Sequence, residues 1–443
     1  MTVQKTVFDF PSDHSGDTGF ALAEALRICG RLRDAGHVAY FAGGCVRDAL
    51  LGRQPKDFDV ATDATPDRVR EIFGKRKTLA FGASFGVIGV LPESRPSALV
   101  ALQPTEVATF RSDGQYSDGR RPDKVHYGDA ENDAQRRDFT INGLFYDPAS
   151  GQVIDYVGGR DDLAIKCLRT IGVAADRFDE DKLRMLRAVR FATSLGFRLE
   201  TQTRLEIIAR ADQIQVVSGE RIGAEMRRIV VCENASFGLR LLHDCGLGDV
   251  VLPEWEGSDQ DRLRRYLQHR DGVSLESSLG LVMIVMADAE SETSGNADCV
   301  AAATRILAEV AKRWRLSNEE SRRIRFCLDH WQVIVTADRR KWSTVQPILI
   351  DRDISWLMEL VSAIVVADDR SSSGIDLCRD ALNWPAQRLN PTPLVDGQSL
   401  QQAGYRPGPK FRHWIQAIRD AQLDGQISTV DEAFERIEEL AGE

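Results

Sequence analysis

The chain lacks any long apolar run. No stretch of about 18 consecutive apolar residues occurs, so a membrane-spanning helix is not expected. The N-terminal segment MTVQKTVFDFPSDHSGDT has no basic start followed by an apolar stretch, so no secretory signal is expected. Paired cysteines are missing as well. The eight cysteines (Cys29, Cys45, Cys167, Cys232, Cys245, Cys299, Cys327, Cys378) are scattered without a Cys-x-x-Cys, which argues against zinc ribbons and disulfide frameworks and suits a reducing cytoplasm. There is no excess of positive charge: the net charge is −10, so binding to nucleic acid would require a local basic face. Internal repeats and low-complexity tracts are absent too.

What is present is an ordinary globular composition, 43% hydrophobic and 28% charged, over 443 residues, enough for two to four domains. Arginines gather at Arg120-Arg121, Arg136-Arg137, Arg184/Arg187/Arg190 and Arg227-Arg228. The first part alternates helix and strand. A helix is predicted over 20–36, strands over 37–42, 57–61, 87–91 and 107–110, and a helix start at Thr65-Pro66 with the threonine as cap. This is an α/β or α+β sheet domain ending near residue 165. Beyond Asp176 helical periodicity dominates, with amphipathic candidates at 177–195, 202–211 and 220–232. The charged segment 259–271 reads as a solvated helix face, 291–296 as a loop, and 389–393 as a break before a final tail.

The densest chemistry lies in FAGGCVRDALLGRQPKDFDV, Phe41 to Val60. A Gly-Gly between a strand and a helix lets a phosphate approach the backbone, and Arg47 would neutralise it. The plainer alternative is a helix start with a surface Arg47–Asp48 pair. Asp57 and Asp59 stand one residue apart on a predicted strand, so both carboxylates face one side while Phe58 and Val60 face the core. Neighbouring carboxylates repel, and a divalent cation between them relieves the repulsion. Glu106, at the start of the next apolar strand in TEVATFR, is the candidate third carboxylate; an ordinary exposed residue at a strand start is the alternative. In RRDFTINGLFYDP, Arg137 is a candidate phosphate contact, Asp138 would orient it, and Asp138, Thr140 and Asn142 alternate like an ordered polar ladder. In FDEDKLRMLRAVRFATSLGF, Asp181, Arg184 and Arg187 recur every three residues, and Arg190 continues the row. Such a face suits a solvated ion-pair helix, or hydrogen bonding to the edge of a base.

Together, GGCVRDALLG…DFD, RRDFTIN, DYVGGRDDL at 155–163, EDKLRMLRAVRFA, ERIGAEMRRI at 220–229 and LPE at 252–254 resemble, in order, the bacterial-type tRNA nucleotidyltransferase and poly(A) polymerase family. The likeness covers about residues 38–255. It implies an α+β fold: a polymerase-β-like nucleotidyltransferase head (20–165, mixed sheet with helices) followed by an all-α neck (166–235), body (236–390) and tail (391–443). It also implies that the protein itself acts as template. Asp181 and Arg184 would bond the base of CTP or ATP, and Gly44 and Arg47 would hold the triphosphate. Arg137, Arg187 and Arg190 would line the nucleotide site. Magnesium on Asp57 and Asp59, with Glu106 as the third carboxylate, would assist attack by an RNA 3′-hydroxyl.

Two features lean towards addition of CCA to tRNA. GASFGVIGVL at 82–91 resembles the hairpin of the tRNA enzymes and is not basic, and the tail from Ala403 carries a Gly-x-x-x-Gly-Pro turn at 404–409. Leaning the other way, the wording KDFDVATDATPD is close to that of the poly(A) polymerases; Gly143 stands where the tRNA enzymes usually show alanine, a departure that points to neither activity. Enzymes adding only CC or only A share this architecture. Three further readings concern the rest of the chain. His243-Asp244 suggests the metal-dependent phosphohydrolase domain of some relatives, but the chain has only seven histidines and no second His-Asp, so a helix end is expected there. A catalytically silent RNA-binding member would usually have lost Asp57, Asp59 or Asp181, and all three are present. Lys410, Arg412 and the 321–325 run SRRIR are candidate RNA contacts.

Overall fold

The computed structural model describes residues 3–10, 16–82, 85–93, 103–114, 124–294 and 299–442. The chain is α+β in its first half and helical in its second, and forms two compact units, Met1–Ser218 with Leu241–Val250, and Gly219–Arg240 with Val251–Glu443.

The first unit is built on an eight-stranded mixed sheet. Its order is Gln4–Val7, Gln152–Asp155, Leu144–Asp147, Ala39–Ala42, Val60–Thr62, Thr105–Thr109, Val87–Val90, Thr78–Gly82. Val60–Thr62 and Thr105–Thr109 run parallel, in register Val60↔Val107, and the other neighbours are antiparallel. Phe41, Phe110 and Phe145 are fully buried, and Phe110 meets Phe145 edge-on at 5.9 Å. Burial of this kind, at roughly 25 cal/mol per Å² of apolar surface, is what closes the sheet over its helices. The helix Gly16–Asp34 ends as its chain turns through Gly36 (φ 85°), and Pro66–Phe73 starts on Thr65, whose hydroxyl accepts the Arg68 N–H.

Three local readings are corrected. Pairing of the predicted strand 57–61 begins only at Val60, because its neighbour Ala39–Ala42 turns away at Gly43 (φ 70°); Asp57 and Asp59 lie on the extended run that enters the strand. The alternation survives, with Phe58 and Val60 buried and Asp57 exposed. The single helix over 177–195 is two, Ala174–Glu180 and Leu183–Leu195. Asp181 between them is extended (φ −152°, ψ 107°), and its carboxylate accepts the Leu183 N–H at 3.0 Å, a local bond that competes with the helix. Asp138, Thr140 and Asn142 do not form a strand ladder. Thr140–Asn142 is one 3-10 turn, entered as the Asp138 carboxylate accepts the Phe139 N–H at 2.8 Å.

The second unit is helical. Its helix Gln260–Gln268 buries Leu263, Tyr266 and Leu267, so the charged segment is amphipathic and only one face is solvated. Leu275–Ser294 is a helix with a fully buried centre, Leu281 to Ala287, and it includes 291–294 where a loop was expected; Gly295 and Asn296 lie outside the described residues. Gly223, in ERIGAEMRRI, allows close packing: a Cβ there would sit 2.0 Å from the Trp314 carbonyl oxygen. The tail opens as read, with Gly408 as cap and Pro409 first in the helix Pro409–Leu423. Among the described residues no helix is long and apolar enough to cross a membrane. Arg120-Arg121 and the hairpin residues 83–84 lie outside the described residues.

Candidate nucleotide site

One cavity of about 450 Å³ in the first unit is lined by Lys56, Asp57, Phe58, Asp59, Thr105 and Glu106, among others. The sheet explains this. With Val60 level with Val107, one step back along both strands brings Asp59 level with Glu106. The Asp59 carboxyl is pushed up to about 7, first by burial and then by the charges of Asp57 and Glu106, against a lowering influence of Arg137. These are hard oxygen donors that repel one another at neutral pH, and a divalent cation fits such a set. Among the described residues no three carboxylates, histidines or cysteines come close enough to enclose an ion.

A second region is a wall of arginines, each held by a partner. Gly43 turns the chain with φ 70°, and a Cβ there would meet Arg137 Nη1 at 2.8 Å. Gly44 then starts the helix Gly44–Leu50, which carries Arg47. Arg47 pairs with Asp48 at 2.8 Å and donates to Asn142 Oδ1 at 2.7 Å, so the pair is largely enclosed. The expected partnership of Arg137 with Asp138 is corrected. Arg137 donates to Asp133 at 2.9 Å and to the Asn142 carbonyl at 3.1 Å. Asp138 instead accepts from Arg187 at 2.6 Å and from the Asn142 amide at 3.0 Å. Burial would raise the Asp138 carboxyl, but Arg187 and Asn142 outweigh it and hold the group at about 2. Burial likewise works against Asp133, and Arg137 and Arg136 keep it below the usual carboxylate range.

Asp181 is not on the helix face with Arg184 and Arg187, as already noted. Arg184 donates to Glu180 and, at 3.0 Å, to the Arg177 carbonyl. Arg187 and Arg190 lie on Leu183–Leu195, as expected. The sequence reading missed Asp133, Glu180 and Phe191, and named Asn142 only as a member of the polar ladder. Asp133 was visible, since it lies three and four residues before Arg136 and Arg137 on a helix cap.

Several motif blocks turn out to be supports. In DYVGGRDDL, Asp155 accepts backbone N–H bonds from Val157, Gly158, Gly159 and Arg160 at 2.9 to 3.1 Å, and Asp162 accepts the Thr140 hydroxyl at 2.7 Å. Glu254 of LPE pairs with Arg313 at 2.7 Å. Arg322 and Arg323 of the 321–325 run turn towards Asp353 and Glu276 within the second unit. His243-Asp244 ends the helix Ala235–Asp244 before Gly246 (φ 74°), as expected. Gly143 has a packing reason: a methyl there would lie 2.7 Å from Val157 Cγ2.

Residues 39–169 match the family model "Poly A polymerase head domain", and 196–258 match "Probable RNA and SrmB-binding site of polymerase A". The CCA-adding enzyme of Lactobacillus gasseri is 31% identical over 411 residues, 93% of this chain and 95% of that protein. That of Geobacillus thermodenitrificans is 43% identical over 229 residues, 52% of this chain and 54% of that protein. The crystal structure of Bacillus stearothermophilus CCA-adding enzyme in complex with CTP aligns with a TM-score of 0.74 at 26% identity, over 97% of this chain and 100% of that one.

Proposed function

Because the chain belongs to the bacterial-type tRNA nucleotidyltransferase and poly(A) polymerase family and is a nucleotidyltransferase, we propose that it adds CCA to tRNA 3′ ends from CTP and ATP, in the cytoplasm, without a nucleic-acid template. The observation that carries this reading is the likeness to CCA-adding enzymes along nearly the whole chain, tail included. Residues 20–165 act as the catalytic head, 166–235 as a neck that reads the nucleotide, 236–390 as body and 391–443 as tail.

The reaction is attack of an RNA 3′-hydroxyl on the α-phosphorus, in line with the departing pyrophosphate. Asp57 and Asp59 hold magnesium, which when bound supplies positive charge to the hydroxyl and the phosphate oxygens. Glu106, level with Asp59, adds to the negative charge that draws the cation in. Gly44 and Arg47 take the triphosphate, and Arg137, Arg187 and Arg190 line the nucleotide. Because carboxylates and Asn142 already hold Arg47, Arg137 and Arg187, little ordering remains to be done when the nucleotide arrives. Asp181 and Arg184 accept from and donate to the base edge. For this, Arg184 exchanges its bond to Glu180 for the base.

The test is one incubation series: a tRNA lacking CCA, one ending in CC, and an unstructured RNA, each with CTP or ATP alone and together. Addition that stops at CCA is expected. Long adenosine tracts on the unstructured RNA would instead mark a poly(A) polymerase, and addition of only CC or only A a partial enzyme. RNA binding without incorporation at any divalent-metal concentration would mark a silent member.

A further inference from the structure

Phe191 is nearly fully buried on the helix Leu183–Leu195, and three guanidinium groups surround it. The Arg190 carbon Cζ lies 3.7 Å from its ring centroid, that of Arg47 5.3 Å and that of Arg187 5.4 Å. Arg47 comes from a different element, far away in sequence. The ring is fixed from behind by Phe139, edge-on at 5.7 Å. Arg47 and Arg187 are joined a second time by polar atoms. Arg47 donates to Asn142, the Asn142 amide donates to Asp138, and Asp138 accepts from Arg187. The circuit therefore closes on itself: Arg47, Asn142, Asp138, Arg187, Phe191 and back to Arg47.

An aliphatic side chain here would offer the neighbouring guanidinium groups packing but no electrostatic attraction, and a partly buried charge without compensation is costly. An aromatic face supplies that attraction, because its electron-rich surface attracts cations within about 6 Å. The ring also gives Arg47 and Arg187 a contact in common, besides the carboxylate that each pairs with.

We propose that Phe191 is a positioning residue for the nucleotide. It keeps Arg47 and Arg187 at a fixed separation, so that triphosphate and nucleoside are gripped by one rigid unit. This rests on the assignment of Arg47 and Arg187 to the nucleotide made above. The role is blind to the base, so CTP and ATP are affected alike.

The test replaces Phe191 with leucine and, separately, with cyclohexylalanine, which keeps the ring's bulk but has no π face; Phe191→Tyr is the conservative control. Three quantities are read: binding of inorganic tripolyphosphate by calorimetry, KM and kcat for CTP and ATP, and the melting temperature. Loss of the three cation–π contacts, two of them to the nucleotide-gripping Arg47 and Arg187, should weaken tripolyphosphate binding and raise both KM values about tenfold in the leucine and cyclohexylalanine proteins. The cyclohexylalanine protein should melt close to wild type, and tyrosine should restore binding. A cyclohexylalanine protein with wild-type tripolyphosphate binding and KM overturns the proposal, and so does a rise in KM for one nucleotide only. Should leucine prevent folding, the cyclohexylalanine protein decides alone. Calorimetry needs no turnover, so failure of the CCA-adding reading leaves this result legible; a wild-type protein that does not bind tripolyphosphate overturns the inference itself.

Discussion

Two carboxylates in the first unit, Asp59 and Asp138, are both largely buried and titrate in opposite directions. Asp59, beside Asp57 and Glu106, is pushed up to about 7, whereas Asp138, beside Arg187, is held at about 2. Burial raises both, so burial does not separate them. The difference is the sign of the neighbours. In the arginine wall the guanidinium groups are held by carboxylates of the protein itself, some of them shared: Asp133 takes both Arg136 and Arg137, and Glu180 both Arg177 and Arg184. In the Asp-x-Asp pocket the neighbouring carboxylates outweigh Arg137, and on the proposed assignment a cation from solution offsets that excess.

The comparison is broken most drastically at its unmatched end. Asp59→Asn should lower nucleotide incorporation by at least about a thousandfold, as loss of a metal-holding group in a phosphoryl-transfer site does. The same variant should melt no lower than wild type in EDTA, since a repelling charge is gone. Incorporation near the wild-type rate would sink the assignment. At the matched end the consequence is reversed. Asp138→Ala leaves Arg187 and Asn142 without their shared acceptor and should cost about 2–3 kcal/mol of stability in denaturant unfolding, with a raised nucleotide KM. A variant as stable as wild type would mean that the Asp138 bonds contribute nothing net.

Titration sharpens the contrast. The raised pKa of Asp59 means that the folded state holds its proton more tightly than the unfolded one. Stability should therefore fall as pH rises from about 4 to 7 in EDTA, and magnesium should restore more of it at pH 8 than at pH 5. Asp138 has a depressed pKa, so its contribution is in place above about pH 4 and is lost as pH falls through about 2. Melting curves against pH, with and without magnesium, check both slopes; no difference between wild type and Asp59→Asn would refute the first. The smallest expected effect is at Gly143→Ala, directly after Asn142. A methyl 2.7 Å from Val157 forces a small shift worth about 1 kcal/mol, visible as a melting temperature a few degrees lower.

Much of this was readable from the sequence where the physics is local. Asp57 and Asp59 both line the cavity, with Phe58 and Val60 buried, although the paired strand begins only at Val60. Thr65-Pro66 begins a helix as read, with the threonine as cap. Local physics also misled. A spacing of three suggested one face for Asp181, Arg184 and Arg187, but the Asp181 side chain bonds its own backbone two residues on and interrupts the helix. Adjacency suggested Arg137 for Asp138, whereas its partner is Arg187, 49 residues away in sequence, brought there by packing that no spacing rule encodes.

The turn at Gly43 has a metrical consequence. One backbone bond, Ala42 N–H to the Asp59 carbonyl at 3.0 Å, precedes it, and the next, Gly43 N–H to the Leu144 carbonyl at 3.0 Å, anchors it to the adjoining strand. The loop that is to meet the phosphates and the residues that are to meet the cation are therefore cut from the same piece of sheet. On the proposed assignment, backbone bonds of the sheet, and not a free loop, set their spacing. A substitution that loosens this corner would leave each half its own ligand and spoil the alignment between them, like a vice whose jaws still grip but no longer face each other.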